Sequence, residues 1–300
     1  MLEPKKSTVA ALAVVSILAW YGCSSTPTAS DAAQDPSAGA EAPVAGAGEP
    51  EFKGKIELDV RDSVADWTPY ELKKAPEGAP NILFVLYDDT GLGAWSAYGG
   101  RINMPTLDRL AENGVMYTQW HTTALCSPTR STLLTGRNHH LNGMASITET
   151  ADGFPGANGR LPPQVTTIAE VLQENGWSTF WLGKDHNVPE QDIAPGGSRS
   201  EWPTQQGFDR FYGFLGGESN QWYPDLVEDN RFIEAPYGPE DGYHLSRDLA
   251  DKAIQMLRDQ QATNPSKPWY MWFNPGANLS LIHISEPTRQ LMSSRMPSSA

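Results

Sequence analysis

Three hundred residues, 39% hydrophobic and 19% charged, describe a chain of one or two domains with enough apolar material for a packed core. The net charge of −14 argues against a nucleic-acid partner, whose binding surface is normally basic. The same acidity makes any local cluster of Lys, Arg and His conspicuous, because it works against the overall field.

In chain order, residues 1–23 come first. Lys5 and Lys6 precede an apolar run at 9–19. That run is shorter than the roughly 20 residues a spanning helix needs and reads as a secretory leader. Gly22-Cys23-Ser24 at its end resembles the lipobox of bacterial lipoproteins, in which the cysteine carries the lipid. The expectation is an exported lipoprotein, in the periplasm or on the outer membrane or cell surface, with a membrane anchor at Cys23. Plain export and an uncleaved anchor are the alternatives. Residues 24–50 are Ala, Gly, Pro and Ser with scattered acids and read as a flexible tether. Export implies an oxidising compartment. Even so, a Cys23–Cys126 bridge would tie the leader to the core and is not expected.

The folded region is expected at 51–278. "NILFVLY" (81–87) is a near-continuous apolar run, the pattern of a strand covered on both faces. "MPTLDRLAENG" (104–114) predicts a helix with Pro105 near its start and Gly114 at its end. "VMYTQWHTT" (115–123) predicts a second strand, and "SPTRSTLLTGR" a short helix beginning just after Cys126. "TTIAEVLQENG" (166–176) carries a capping box in Thr167 and Glu170. "WSTFWLG" (177–183) is strand-like. "LSRDLADKAIQMLRDQQ" (245–261) is an amphipathic helix with Ser246 as N-cap, and "PWYMWFN" (268–274) a fourth strand. Strands alternating with helices predict an α/β fold with a mainly parallel sheet flanked by helices. Residues 279–300 carry neither period, and "LSLIHISEPTR" looks like a translated sequencing adapter. The natural sequence is therefore expected to stop at Asn278, with an ordinary disordered tail as the alternative.

Ligands of open parallel sheets sit beyond the C-terminal ends of strands. That rule gathers Asp88 and Asp89 after the first strand, Cys126 with Arg130 after the second, and Lys184 with His186 after the third. Taken singly, these are ordinary: an Asp pair is a turn former, Arg130 a surface helix residue, Lys184 and His186 loop residues, Cys126 a buried thiol. A cysteine-phosphatase loop needs its arginine six residues past the cysteine, but Thr132 stands there and Arg130 comes four on. A zinc site would bring further Cys or His close to Cys126. The Asp pair suits a hard, oxygen-seeking cation, for which a thiolate is a soft mismatch. Oxygen in place of sulfur would remove the mismatch.

"CSPTRSTLLTGR" resembles the signature of the sulfatase family, C-x-P-x-R followed by Leu-Thr-Gly, at Cys126, Pro128, Arg130, Leu134, Thr135 and Gly136. "PNILFVLYDDTGLG" resembles the family's first strand with its metal-binding Asp pair, "GKDHN" its Gly-Lys-x-His element, and "KPWYMWFNPGAN" the segment before a further active-site His. The resemblance runs from about Ala79 to Asn278 and is nearest to bacterial arylsulfatases of the alkaline phosphatase superfamily. It implies that a separate formylglycine-generating enzyme oxidises Cys126 to Cα-formylglycine. It also implies that Asp88, Asp89 and the modified Cys126 hold Ca²⁺. Arg130 would brace the modified residue, Lys184 would pair with the sulfate, and His186 would contact the hydrated aldehyde. The substrate implied is a sulfate ester, as a small molecule or a sulfated glycan.

His139 and His140 follow the signature, and a structural role is expected for them. Trp95, Trp181, Trp202, Trp222 and Tyr223 are candidate pocket residues, with core packing the expected role for most. A phosphonate or phosphate ester hydrolase of the same superfamily is the alternative enzyme. A non-catalytic surface binding protein is the alternative outside enzymes. Where the family has its leaving-group His, this sequence has Leu279. The chain as written is therefore expected to be inactive. A His at codon 279 of a re-read gene, with an Asp-Asn pair downstream, would bear out that expectation.

Overall fold

The computed structural model describes residues 51–277. The leader with Cys23, the tether at 24–50 and the segment at 279–300 lie outside the described residues. Two compact units divide between Pro69 and Tyr70. In the first, Lys55 and Val64 form an antiparallel bridge, and the short turn Val60–Asp62 is capped by the Asp59 side chain.

The second unit is built on a six-stranded sheet. Its strands are β1 (Ile82–Val85), β2 (Ser178–Lys184), β3 (Arg210–Phe214), β4 (Leu226–Glu228), β5 (Arg231–Ile233) and β6 (Trp269–Asn274), in the order β1-β6-β2-β3-β4-β5. The first four strands in that order are parallel, and the β3-β4 and β4-β5 pairs are antiparallel. The sheet is flanked by α2 (Cys126–Thr135), α3 (Ile168–Glu174) and α4 (Leu245–Thr263), while α1 (Pro105–Asn113) buries no residue and belongs to neither core. The predicted α/β class with a mainly parallel sheet is what the chain adopts.

Period-two alternation assigns side chains to two cores. Trp181, Phe211, Tyr270 and Trp272 pack with Leu134 of α2 and Ala169 of α3 on one side. Phe180, Leu182, Tyr212 and Met271 pack with Leu249 and Met256 of α4 on the other. Every residue of β2 is buried, which is why its sequence shows no polar face. Each large side chain so buried contributes about 1.5–3 kcal/mol. The capping box at the start of α3 forms as expected, with Thr167 Oγ1 accepting from Glu170 N and Glu170 accepting from Thr167 N.

Four local expectations need correction. β1 is not covered on both faces among the described residues: Leu83 and Val85 are exposed, as fits a strand at the end of the sheet. Residues 115–123 form no strand: Val115, Tyr117 and Trp120 are exposed, and among the described residues no neighbour supplies a ladder. Strand propensity counts only where a partner and a buried face exist. Strands β3, β4 and β5 were not expected. The last two have only three residues each and are joined through Asp229 at φ 53°, a left-handed hairpin position. The N-cap of α4 is His244, not Ser246; its Nδ1 accepts from Ser246 N at 3.3 Å.

Candidate active site

The topology explains which groups meet. β1 and β2 flank β6, with Val85 opposite Phe273 and Gly183 opposite Asn274. Their C-terminal ends therefore share one rim, the usual ligand position of a parallel sheet. Asp88 follows β1, and Lys184 closes β2. Cys126 is not delivered by a strand; it opens α2 from a loop, with Leu125 as N-cap.

Arg130 and Lys184 are the buried cations of this rim. Their side chains are 2% and 0% exposed, and both meet Asp88 Oδ2, Arg130 Nη2 at 3.1 Å and Lys184 Nζ at 2.6 Å. The lysine contact is the shorter of the two, a charge-assisted pair. Arg130 Nη1 donates to the Lys184 carbonyl at 3.1 Å, locking α2 to β2. The same carbonyl accepts from Asn274 Nδ2 at 3.0 Å and from Trp181 Nε1 at 3.2 Å. Asn187 Nδ2 donates to the Ser127 carbonyl at 3.0 Å, a second lock on the first turn of α2.

Ligand atoms of Asp88, Asp89 and Cys126 lie within 4.8 Å of one another. Asp89 is exposed and holds φ at 46°, while His186 holds φ at 63°. Left-handed backbone at such residues is costly and tends to cluster at functional sites. Beside the site runs a cleft of about 460 Å³ that includes Asp88, Asp89 and Cys126 with Tyr87, Trp95 and Trp120.

Burial and charge set the titrations. Burial alone would raise Asp88, but Arg130 and then Lys184 overrule it and hold the carboxyl below its ordinary value. Burial, and behind it Arg130, lowers Lys184 against the pull of Asp88. Burial raises the Cys126 thiol, with Lys184 opposing and Asp88 adding. The unmodified side chain is thus a protonated thiol at neutral pH, a poor nucleophile. Burial also lowers His186, against Glu149. Asp185, fully buried and accepting from Asn187 N, is pushed up to about 8 by burial.

Asp88, Asp89, Cys126, Arg130 and Lys184 are therefore together. The His186 ring is turned to Glu149, with Nε2 at 2.8 and 2.9 Å from its two carboxylate oxygens. His139 and His140 stand apart in the loop after α2, their rings 4.2 Å from each other and His139 Nδ1 3.0 Å from the Met144 carbonyl. Trp181 and Trp202 are core residues at 0% exposure, whereas Trp95 lines the cleft and Tyr223 is exposed. Sequence reasoning missed Glu149, Asn187 and Asn274 as partners. Asn187 and Asn274 sat inside quoted motifs, but the acid in "SITETADG" gave no local sign of a histidine 37 residues away.

Fold and site define an α/β protein whose sheet rim sets two carboxylates and a cysteine against two buried cations. The sulfatase family model matches residues 80–279, and the chain belongs to that family. It is 35% identical over 209 residues to an uncharacterized sulfatase of Schizosaccharomyces pombe, covering 63% of this chain and 36% of that protein. It is 32% identical to the arylsulfatase of Klebsiella aerogenes, covering 66% of this chain and 42% of the relative. It is 36% identical to human steryl-sulfatase, covering 48% and 25%. The chain thus spans less than half the length of these relatives. Among solved structures, yidJ from Bacteroides fragilis matches with a TM-score of 0.57 at 20% identity, covering 74% of this chain and 50% of that one. Ps i-CgsB matches at 0.54 and 20% identity, covering 73% and 49%. At such identities these two support the fold alone.

Proposed function

We propose that this protein belongs to a sulfuric ester hydrolase, arylsulfatase-like, acting on a sulfate ester of a small molecule or a glycan. The observation that carries the reading is the placing of Asp88, Asp89 and Cys126 within 4.8 Å of one another, against the buried cations Arg130 and Lys184. Two carboxylates suit a hard cation such as Ca²⁺, and the protonated thiol does not. Conversion of Cys126 to Cα-formylglycine by a maturing enzyme would replace the sulfur by oxygen and restore the match. The hydrated aldehyde supplies an oxygen nucleophile, and the cation, once bound, supplies Lewis acidity toward sulfate oxygens.

The chain's own residues do the rest. Asp88 is kept ionised by its two cations, so it is ready to ligate at neutral pH. Lys184 brings an ammonium with three donors to Asp88 and Cys126, the charge needed to hold an anionic sulfate oxygen there. Arg130, bonded to both Asp88 and the Lys184 carbonyl, fixes their spacing. The first turn of α2 carries residue 126, where backbone N–H groups favour negative charge. The same reading takes the protein to the periplasm or cell surface through residues 1–23, by way of a lipid at Cys23.

Co-expression with a formylglycine-generating enzyme, followed by peptide mass spectrometry, tests the modification. Residue 126 is expected as aldehyde, and Ca²⁺ titration is expected to show uptake that Asp89→Ala abolishes. A thiol at 126 together with no calcium uptake would sink the proposal. Aryl sulfate against aryl phosphonate turnover, by the product of the gene read past codon 278, separates the two ester classes.

A further inference from the structure

We infer that Glu149 is the positioning residue of His186, fixing its tautomer and leaving Nδ1 as the unprotonated nitrogen of the neutral ring. The inference rests on the hydrolase reading above for its purpose, but on geometry for its substance. Glu149 lies in the turn Thr148–Thr150, 37 residues before His186, and its carboxylate straddles His186 Nε2 at 2.8 and 2.9 Å. A carboxylate only accepts, so Nε2 must carry the proton. Nδ1 is then the lone-pair nitrogen of the neutral ring, and it is buried with no hydrogen-bond partner among the described residues.

The surroundings are shaped for this pair. His186 is 4% exposed and is held at φ 63°, with its backbone N–H donating to the Leu215 carbonyl at 3.0 Å. Gly217 covers the contact: a Cβ added there would sit 2.6 Å from Glu149 Oε1 and 2.8 Å from His186 Nε2. Only a residue without a side chain leaves room for the carboxylate and the ring to meet. The charged groups acting on the imidazole are Glu149 from its turn, Lys184 from β2 and Arg130 from α2. The two cations disfavour a charged ring and Glu149 favours it, so the carboxylate is what lets a buried imidazole accept a proton beside two positive charges. A base oriented by a third group is a recurring catalytic device.

The test reads the imidazole itself, in the 300-residue chain labelled with ¹⁵N-histidine, with His186 assigned by His186→Gln. In the unaltered protein His186 is expected as the Nε2–H tautomer at neutral pH. In Glu149→Gln its titration is expected to move to lower pH, and in Glu149→Asp to return toward the parent. Gly217→Ala is expected to disturb the tautomer by wedging a Cβ against both partners while leaving their identities unchanged. An Nδ1–H tautomer in the parent, or a titration unmoved by Glu149→Gln, would overturn the inference. Because no step needs turnover, an absence of sulfate hydrolysis would count against the proposed function and leave this pair standing.

Discussion

Asp88→Asn probes the electrostatic centre of the site most directly. In the native protein Asp88 Oδ2 is the shared ion-pair partner of Arg130 and Lys184, whose side chains are 2% and 0% exposed. Asparagine keeps the shape and an acceptor oxygen but removes the charge, leaving two buried cations without compensation. Breaking a buried pair from one side costs about 3–5 kcal/mol. For a folded unit of this size, that corresponds to a fall in Tm of roughly 6–20 °C. Urea unfolding followed by tryptophan fluorescence measures it. The native carboxyl titrates below its ordinary value, so its stabilisation is present above the unfolded value and is lost as pH falls through the folded one. The gap between parent and variant should therefore close on acidification. Adding Lys184→Met to Asp88→Asn should recover part of the loss, because one orphan charge goes with it. A loss under about 1 kcal/mol, the scale of a solvated surface pair, would refute the reasoning.

Two further outcomes follow from the same geometry. Gly183→Ala places a Cβ 2.1 Å from the Asn274 carbonyl at a residue with φ 91°. It should cost at least the roughly 1–3 kcal/mol of a strained backbone, read by urea unfolding, and a change within about 0.5 kcal/mol would contradict it. Unmodified Cys126, with its thiol raised by burial, should alkylate slowly with iodoacetamide at neutral pH and faster only above the ordinary thiol range. Since Lys184 lowers that thiol, Lys184→Met should slow labelling further, and labelling faster than a free cysteine at pH 7 would be inconsistent with it.

Much of the sheet was legible because its signals are local. "NILFVLY", "WSTFWLG" and "PWYMWFN" are continuous apolar runs; burial on both faces explains the pattern in β2 and most of β6, whereas Leu83 and Val85 leave one face of β1 exposed. The Thr167–Glu170 capping box closes within one helical turn, so spacing alone announces it. The strand at 115–123 failed for the opposite reason, since a ladder needs a partner that no local pattern reports.

What the sequence determined by itself was the fold class, the family signature from Cys126 to Gly136, and the strand-end placement of Asp88 and Lys184. Only the tertiary structure decided that one carboxylate oxygen serves both buried cations. It likewise decided that the Lys184 carbonyl ties Arg130 and Asn274 together, and that His186 turns to Glu149. Those contacts join residues 37 to 96 positions apart. The strand order β1-β6-β2 and the bare backbone of Gly217 bring them within reach, and neither is written in any short stretch of the chain.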